Sequence, residues 1–397
     1  MKLESKLIAN MEKYREDIVN FLKDIINIPS VTLKEEKVAF RVKKEMDKVG
    51  CDYSFIDGFG NVIGKVGNGK NIIAIEAHID TVNAGDRELW VQNPFVANIK
   101  DGVVYGRGAL EQKGAIASIV YAVKAIKDLN IKGDYTLYII GSIMKEEYDG
   151  EAIRYIINKD NIHPDYVILT EPTNLNIHIG SMGRAEIDII IKGLSADSGY
   201  PKIGINSVYK ASPIVNELKR LNDLYMKNLS GKALISVNEI ICTTPNKSCV
   251  PDKCIIKVDS RMWNRYALGD ILNDVRALKT IKNYEVKIST INKKTYTGYG
   301  YNAKHVLLPW INGENSYILK TTIETYKSLY NKSPKIDKWI LTTNGSITAG
   351  VFNIPTIGFG PGKEILAYGP REQVLVDDLL KASAMYALLP FNLSKHK

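Results

Sequence analysis

Short apolar runs alternating with helical patterns constrain this chain more than any other feature. Ile18, Phe21, Leu22, Ile25 and Ile26 recur at helical spacing and are followed by Pro29, the mark of an amphipathic helix that caps a sheet. NIIAIEA (71–77), YTLYIIGSI (135–143) and YVILT (166–170) are apolar runs of strand length. A helical pattern through Ile116, Ile119, Val120, Val123 and Ile126 separates the first two. Such alternation predicts an α/β fold with a mainly parallel sheet covered on its faces.

The pattern changes near Gly183. From there the order is a strand (AEIDIIIKG), a helix over about 207–228, two strands (ALISVNEIIC and KCIIKVDSRMW), a helix over about 268–280 and a strand (YEVKISTI). This β-α-β-β-α-β order is that of a ferredoxin-like α+β unit. A helix near 316–331, the strand IPTIGFG and a final helix from Val376 return to the first pattern. The expected architecture is one split α/β domain, 1–181 and 293–397, interrupted by a lid domain over 182–292, with a ligand cleft between them.

Composition excludes several classes of function. The chain has 397 residues, 45% hydrophobic and 24% charged, enough for two or three domain-sized units and unlike a disordered or fibrous chain. No apolar run approaches the roughly 18 to 20 residues that span a membrane. The start, MKLESKLIANMEKYRED, carries charges where a signal peptide would be apolar, so a cytoplasmic protein with no membrane partner is expected. The net charge of +9 comes from scattered residues, and only 11 of the 53 basic ones are arginine, so no nucleic acid is expected. Cys51, Cys242, Cys249 and Cys254 read as reduced thiols, because the three in ICTTPNKSCVPDKC lack the paired spacing of a thiolate zinc site.

Ligand sites of open α/β sheets gather where strands end, and here those ends are rich in one chemistry. His78 and Asp80 follow NIIAIEA in AHIDTV, Glu111 sits in GRGALEQKG, Glu146 and Glu147 follow YTLYIIGSI, and Glu171 follows YVILT. One imidazole among converging carboxylates suits a divalent metal, zinc first, with manganese or cobalt as alternatives. Asp80 is spaced to hold the second nitrogen of His78. Of the adjacent Glu146 and Glu147, one suits the metal and the other a general base acting on metal-bound water.

With these motifs the chain resembles the M20 metallopeptidases and amidohydrolases, a group that includes acetylornithine deacetylase and succinyl-diaminopimelate desuccinylase. ICTTPNKSCVPDKC, DKWILTTNG and GFGPG resemble most the deacetylase-like branch linked with selenium and purine metabolism. The resemblance implies His78 and Glu171 on one metal, Glu147 on the other, a bridging carboxylate at Glu111, Asp80 behind His78, and Glu146 as catalytic base. It also implies a lid that makes a homodimer, and substrate contacts at Arg261 in DSRMW, Asn344 in TTNG, and Gly360 and Gly362 of GFGPG.

Three positions depart from that family's pattern. Glu111 stands for the bridging aspartate of G-R-G-x-x-D-x-K-G. Tyr368, in ILAYGPRE, stands for the histidine ligand of the second metal, and a phenol with a reference pKa near 10 is a poor ligand. Asp197, in GLSADSGYP, stands for the lid histidine that stabilises the developing oxyanion, where an acid repels it. None of the other histidines, at 163, 178, 305 and 396, lies where it would replace those two. Two functions fit this pattern. One is hydrolysis of an amide or ureido carbon–nitrogen bond in a small amino-acid derivative, using one ion rather than two. The other is a noncatalytic paralogue without an ion, binding a ligand or pairing with a complete paralogue.

Overall fold

The computed structural model describes residues 2–228, 233–263 and 267–395. Its sheets are built from strands β1 (Tyr53–Ile56), β2 (Val62–Val66), β3 (Asn71–His78), β4 (Tyr135–Ser142), β5 (Tyr166–Leu169) and β6 (Ile177–Ser181). There follow β7 (Gly183–Lys192), β8 (Ala233–Thr243), β9 (Lys253–Met262) and β10 (Glu285–Ile288), then β11 (Trp310–Ile311), β12 (Ile336–Trp339) and β13 (Thr356–Gly358).

The main sheet runs β1-β2-β4-β3-β5-β13-β6-β11, with β12 also paired to β6. Its centre, β4-β3-β5-β13, is parallel. The β1-β2-β4 flank is antiparallel, so the sheet is mixed around the parallel core that its alternating pattern predicts. Parallel central strands are buried on both faces, which is why β3 and β4 are apolar nearly throughout. The helices Arg15–Ile26, Gly114–Asp128 and Val376–Leu393 cover one face, with Ile18, Phe21, Leu22, Ile25 and Ile26 all turned into the core. Among the described residues no helix is long and apolar enough to cross a membrane.

One residue, Met182, separates β6 of the main sheet from β7 of the second sheet. That sheet runs β8-β9-β7-β10, every pair antiparallel, which is the ferredoxin-like arrangement expected from the element order. Ile187, Ile189, Ile191, Ile214, Leu218 and Ile271 form its separate core beneath the helices Ser207–Asn228 and Ala267–Ala277. The lid ends later than the sequence suggests, because Val306–Leu307 still pairs with β7 and the main sheet resumes only at β11. The apolar run YEVKISTI is interrupted at Ser289, whose hydroxyl bonds Asp188, and the chain continues into a hairpin, Thr290–Lys294 with Gly300–Lys304. Tyr299 and Tyr301 of that hairpin pack on Phe59 in the main domain, and the Tyr296 hydroxyl donates to the Gly60 carbonyl at 2.7 Å.

All four cysteines are unbridged. Cys242 and Cys254 face each other across β8 and β9 with their sulfurs 3.2 Å apart.

Candidate functional site

Parallel strands that start together end together, so the segments after β3, β4, β5 and β13 meet at one edge of the sheet. His78 is the last residue of β3 and is 1% exposed. Its Nδ1 lies 2.9 Å from the Asp80 carbonyl and 3.3 Å from the Asp80 carboxylate, while Nε2 lies 3.0 Å from Glu111 Oε1. Asp80 therefore stands behind His78 as its spacing implies, and it has a second duty. Its carboxylate accepts the backbone N–H of Lys145 and Glu146 and the Thr32 hydroxyl, fixing the single helical turn Lys145–Tyr148 that follows β4.

Lys145, which the motif reading passes over, projects from this turn into the middle of the acids. Its Nζ is 3.1 Å from Glu111 Oε1 and 3.0 Å from Glu171 Oε1, and its side chain is 4% exposed. Burial opposes its charge, but Glu171, Tyr368, Glu111 and Glu146 outweigh burial and hold its pKa well above the ordinary value. For His78, burial and Lys145 oppose the charge, yet the bonds to Asp80 and Glu111 win and raise its pKa well above 6.5. Burial likewise opposes ionisation of Glu111, but Lys145 and His78 hold its carboxyl well below the usual range. Burial, then the charge of Glu111, pushes Glu171 far up. Burial also pushes Glu146 up to about 8, against the attraction of Lys145 and His78. The centre thus sets the Lys145 ammonium and the His78 imidazole against the carboxyls of Glu111 and Asp80.

Glu111 reaches the centre from the irregular segment Ala109–Lys113, which is tied down on both sides. Glu372 accepts the backbone N–H of Leu110 and Glu111 and pairs with Arg107, whose other nitrogen donates to the Tyr368 carbonyl at 2.9 Å. The buried Lys113 anchors the segment to the end of the first core helix through the carbonyls of Ile25 and Ile28.

Several expected site residues are placed elsewhere or differently. Glu147, the expected ligand of a second ion, is exposed and bonds the neighbouring Tyr148 hydroxyl. It is Glu146 whose ligand atom lies within 4.8 Å of those of His78 and Glu111, the one such trio among the described residues. The turn is too short to aim adjacent side chains inward together. Asn344 is 2% exposed, with Nδ2 on Glu76 and Oδ1 on the Gly150 N–H, so its amide is bonded inside the protein. Gly360 packs on backbone, since a Cβ there would fall 2.2 Å from the carbonyl oxygens of Thr170 and Glu171. At Gly362, with φ +76°, a Cβ would meet Leu110 at 2.2 Å. Both glycines allow a close approach of the chain at this edge. Asp197 is exposed in the lid and turns its carboxylate onto the Gly199 N–H in its own loop. His178 packs edge-on against Trp339, His305 lies 3.5 Å from Glu186, and His163 is exposed on Asn161. His396 lies outside the described residues.

Tyr368 and Arg261 do meet at the centre's mouth. They line a cleft of about 270 Å³ with Lys145, Glu146, Asp149, Arg184 and Thr342. Asp259 aligns both lid arginines, with Arg184 Nε at 2.5 Å and Arg261 Nε at 2.6 Å, and Arg261 crosses to the main domain by donating to Thr342 at 2.8 Å. Tyr368 keeps 42% of its surface open, yet burial of its phenol and the nearby acids hold its pKa far above 10, opposite to what a phenolate ligand needs. Arg184 and Asp149 went unnoticed in the sequence because neither sits in a motif, and only the register of β7 against β9 brings Arg184 opposite Arg261. A hollow of about 320 Å³ between Gly67, Asn130 and Gly133 contains none of this chemistry.

Comparison with known proteins decides the lineage. The profile of Peptidase family M20/M25/M40 matches residues 74–392. The chain belongs to the M20/M25/M40 peptidase family. It is 38% identical over 392 residues to YgeY of Escherichia coli (strain K12), covering 98% of this chain and 97% of that one. It is 27% identical to a metallohydrolase, MJ0457, of Methanocaldococcus jannaschii, covering 94% of this chain and 99% of that one. Solved structures share the fold. The di-peptidase Dug1p of Saccharomyces cerevisiae aligns over 100% of both chains with TM-score 0.78 at 14% identity. Bacillus subtilis YXEP, described as a dinuclear metal binding peptidase, aligns over 97% of this chain and 99% of that one with TM-score 0.65 at 14% identity. The M20 family is one of metal-dependent hydrolases.

The residues of this M20 chain do not fit the metal of its relatives. Zinc binds imidazole and carboxylate at roughly 2.0 to 2.2 Å through lone pairs free of protons. Here both His78 nitrogens face acceptors, and an ammonium already bonds Glu111 and Glu171.

Proposed function

We propose that this M20 member binds a small amino-acid derivative carrying a carboxylate in the cleft between its domains. In this reading it does so without the metal-dependent hydrolysis of an amide or ureido carbon–nitrogen bond. The observation that carries the reading is the cleft's lining of Arg184, Arg261 and Lys145 beside Glu146 and Tyr368, both of which are held protonated. Two guanidinium groups fixed by one carboxylate suit the planar, bidentate recognition of a ligand carboxylate. Protonated Glu146 and Tyr368 add neutral hydroxyl donors for a carbonyl, such as that of an acyl or carbamoyl group. We further read the chain as cytoplasmic and as a homodimer through its lid, or as the partner of a complete paralogue.

The second reading, a hydrolase using one ion, zinc before manganese or cobalt, is favoured by the proximity of His78, Glu111 and Glu146. Calorimetry with N-acetyl and N-carbamoyl amino acids, together with product analysis in the presence of zinc, separates the two. The expected result is binding without turnover, weakened about tenfold or more by Arg184→Ala or Arg261→Ala, because each removes a charge-assisted hydrogen bond. Equal binding of the methyl esters would overturn the carboxylate assignment. Turnover that follows zinc addition would establish the hydrolase instead.

A further inference from the structure

We infer that Lys145 is a tethered cation that takes the place of the metal ion in this centre, so the chain assembles its site with no bound ion. The inference concerns the ion alone and goes beyond the proposal about the ligand.

Three geometric observations converge on it. First, the Lys145 ammonium bonds Glu111 Oε1 and Glu171 Oε1, carboxylates that reach it from two separate segments of the main domain. Holding such acids together is what a metal does in a centre of this kind, and a buried ammonium does the same by charge and hydrogen bonding. Second, both ring nitrogens of His78 already face protein oxygens, Nδ1 the Asp80 carbonyl at 2.9 Å and Nε2 Glu111 Oε1 at 3.0 Å. Third, the lysine is held in place. Asp80 fixes the backbone of its turn, and the side chain is 4% exposed. A divalent ion between Glu111 and Glu171 would have to displace the ammonium that already occupies the place between them.

The tethered cation also has a use toward ligand. An ammonium carries three N–H donors, and Glu111 and Glu171 take two. Lys145 lines the cleft, so the third is directed to an anionic or carbonyl oxygen bound there. An ammonium in this position attracts an oxygen as an ion does, but it does not activate water by coordination.

The test measures metal rather than activity. The full chain is purified without chelator, incubated with zinc, desalted and assayed by elemental analysis, alongside Lys145→Ala and Lys145→Met. The native chain is expected to hold far less than one ion per chain, with a Tm unmoved by zinc or by chelator. Lys145→Met keeps the length of the side chain without its charge, and so guards against collapse of the turn in the alanine variant. At least one of the two variants is expected to gain about one zinc per chain and a Tm that rises with zinc, as ligand binding to the folded state requires. One ion per native chain, lost in His78→Ala, overturns the inference. So does the absence of any gain in both variants. Carboxylate binding is measured on the same samples, so a native chain that binds carboxylates and holds zinc sinks only this inference. A metal-free chain that binds none sinks only the ligand reading.

Discussion

Asn344 shows how one residue keeps its place in a motif while its use is structural. Its amide bridges Glu76 on β3 and the Gly150 N–H at the start of the next helix, and Glu76 Oε1 also accepts the Ser142 hydroxyl at 2.5 Å. Truncation leaves the buried Gly150 N–H unpaired and takes one of two donors from Glu76 Oε1, and losses of this kind cost roughly 1 to 3 kcal/mol each. Asn344→Ala is therefore expected to lose about 2 to 4 kcal/mol by denaturant unfolding. Ligand affinity measured below the transition should change little. A variant with native stability and weakened binding would return Asn344 to the ligand. The same reasoning explains why Lys145 was invisible in the sequence. A lysine beside two glutamates reads as part of a solvated turn, and only the capture of its backbone by Asp80, 65 residues away, turns it inward.

At the scale of elements, legibility followed locality. The strands at β3, β4 and β5 and the helices Gly114–Asp128 and Ser207–Asn228 carry their own apolar period, and they form where that period places them. The three-stranded sheet of Asn98–Lys100, Val103–Tyr105 and Gln373–Leu375 carries no such mark, because three residues hold no period and one strand arrives from the far end of the chain. In the centre, strand ends were legible as a ligand edge, whereas the direction of Glu146 against Glu147 depended on a turn too short to show a face. Loops also hold titrating pairs that composition cannot reveal. Asp57 accepts the N–H of Gly60 and Asn61 and the Asn61 amide, and its side chain bonds the neighbouring Asp160. Burial, then the bond and charge of Asp57, pushes Asp160 up to about 7. Between its unfolded value and about 7 the folded state holds a proton that the unfolded chain has lost, so this contribution to stability falls as pH rises through that window. Asp160→Asn keeps a neutral group in place, and its Tm is expected to gain on the native Tm between pH 5 and pH 8. Parallel Tm profiles of the two proteins would contradict the assignment.

For the whole molecule, the lid is an antiparallel sheet on its own core, joined to the main sheet through Met182 and returning through the chain after Leu307. The segment from Leu194 into the helix Ser207–Asn228 exposes Leu194 at 54%, Tyr200 at 72%, Ile203 at 73% and Tyr209 at 78%, close in sequence to Asp197. Contiguous exposed apolar surface of this sort marks association, and β8 adds an unpaired sheet edge on the same domain. The proposed symmetric pair through the lid would cover both, and it fits the commonest form of oligomer. Light scattering at micromolar concentration should therefore give twice the 44.3 kDa of one chain. Ile203→Glu places a charge among these exposed side chains, at a residue that does not line the cleft with Arg184 and Arg261. It is expected to give a monomer that still binds carboxylate ligands. A native monomer would remove the lid as a dimer surface. A variant that stays dimeric would move the interface to another face, and a native monomer that pairs only with a complete paralogue would make this chain the ion-free half of a mixed assembly.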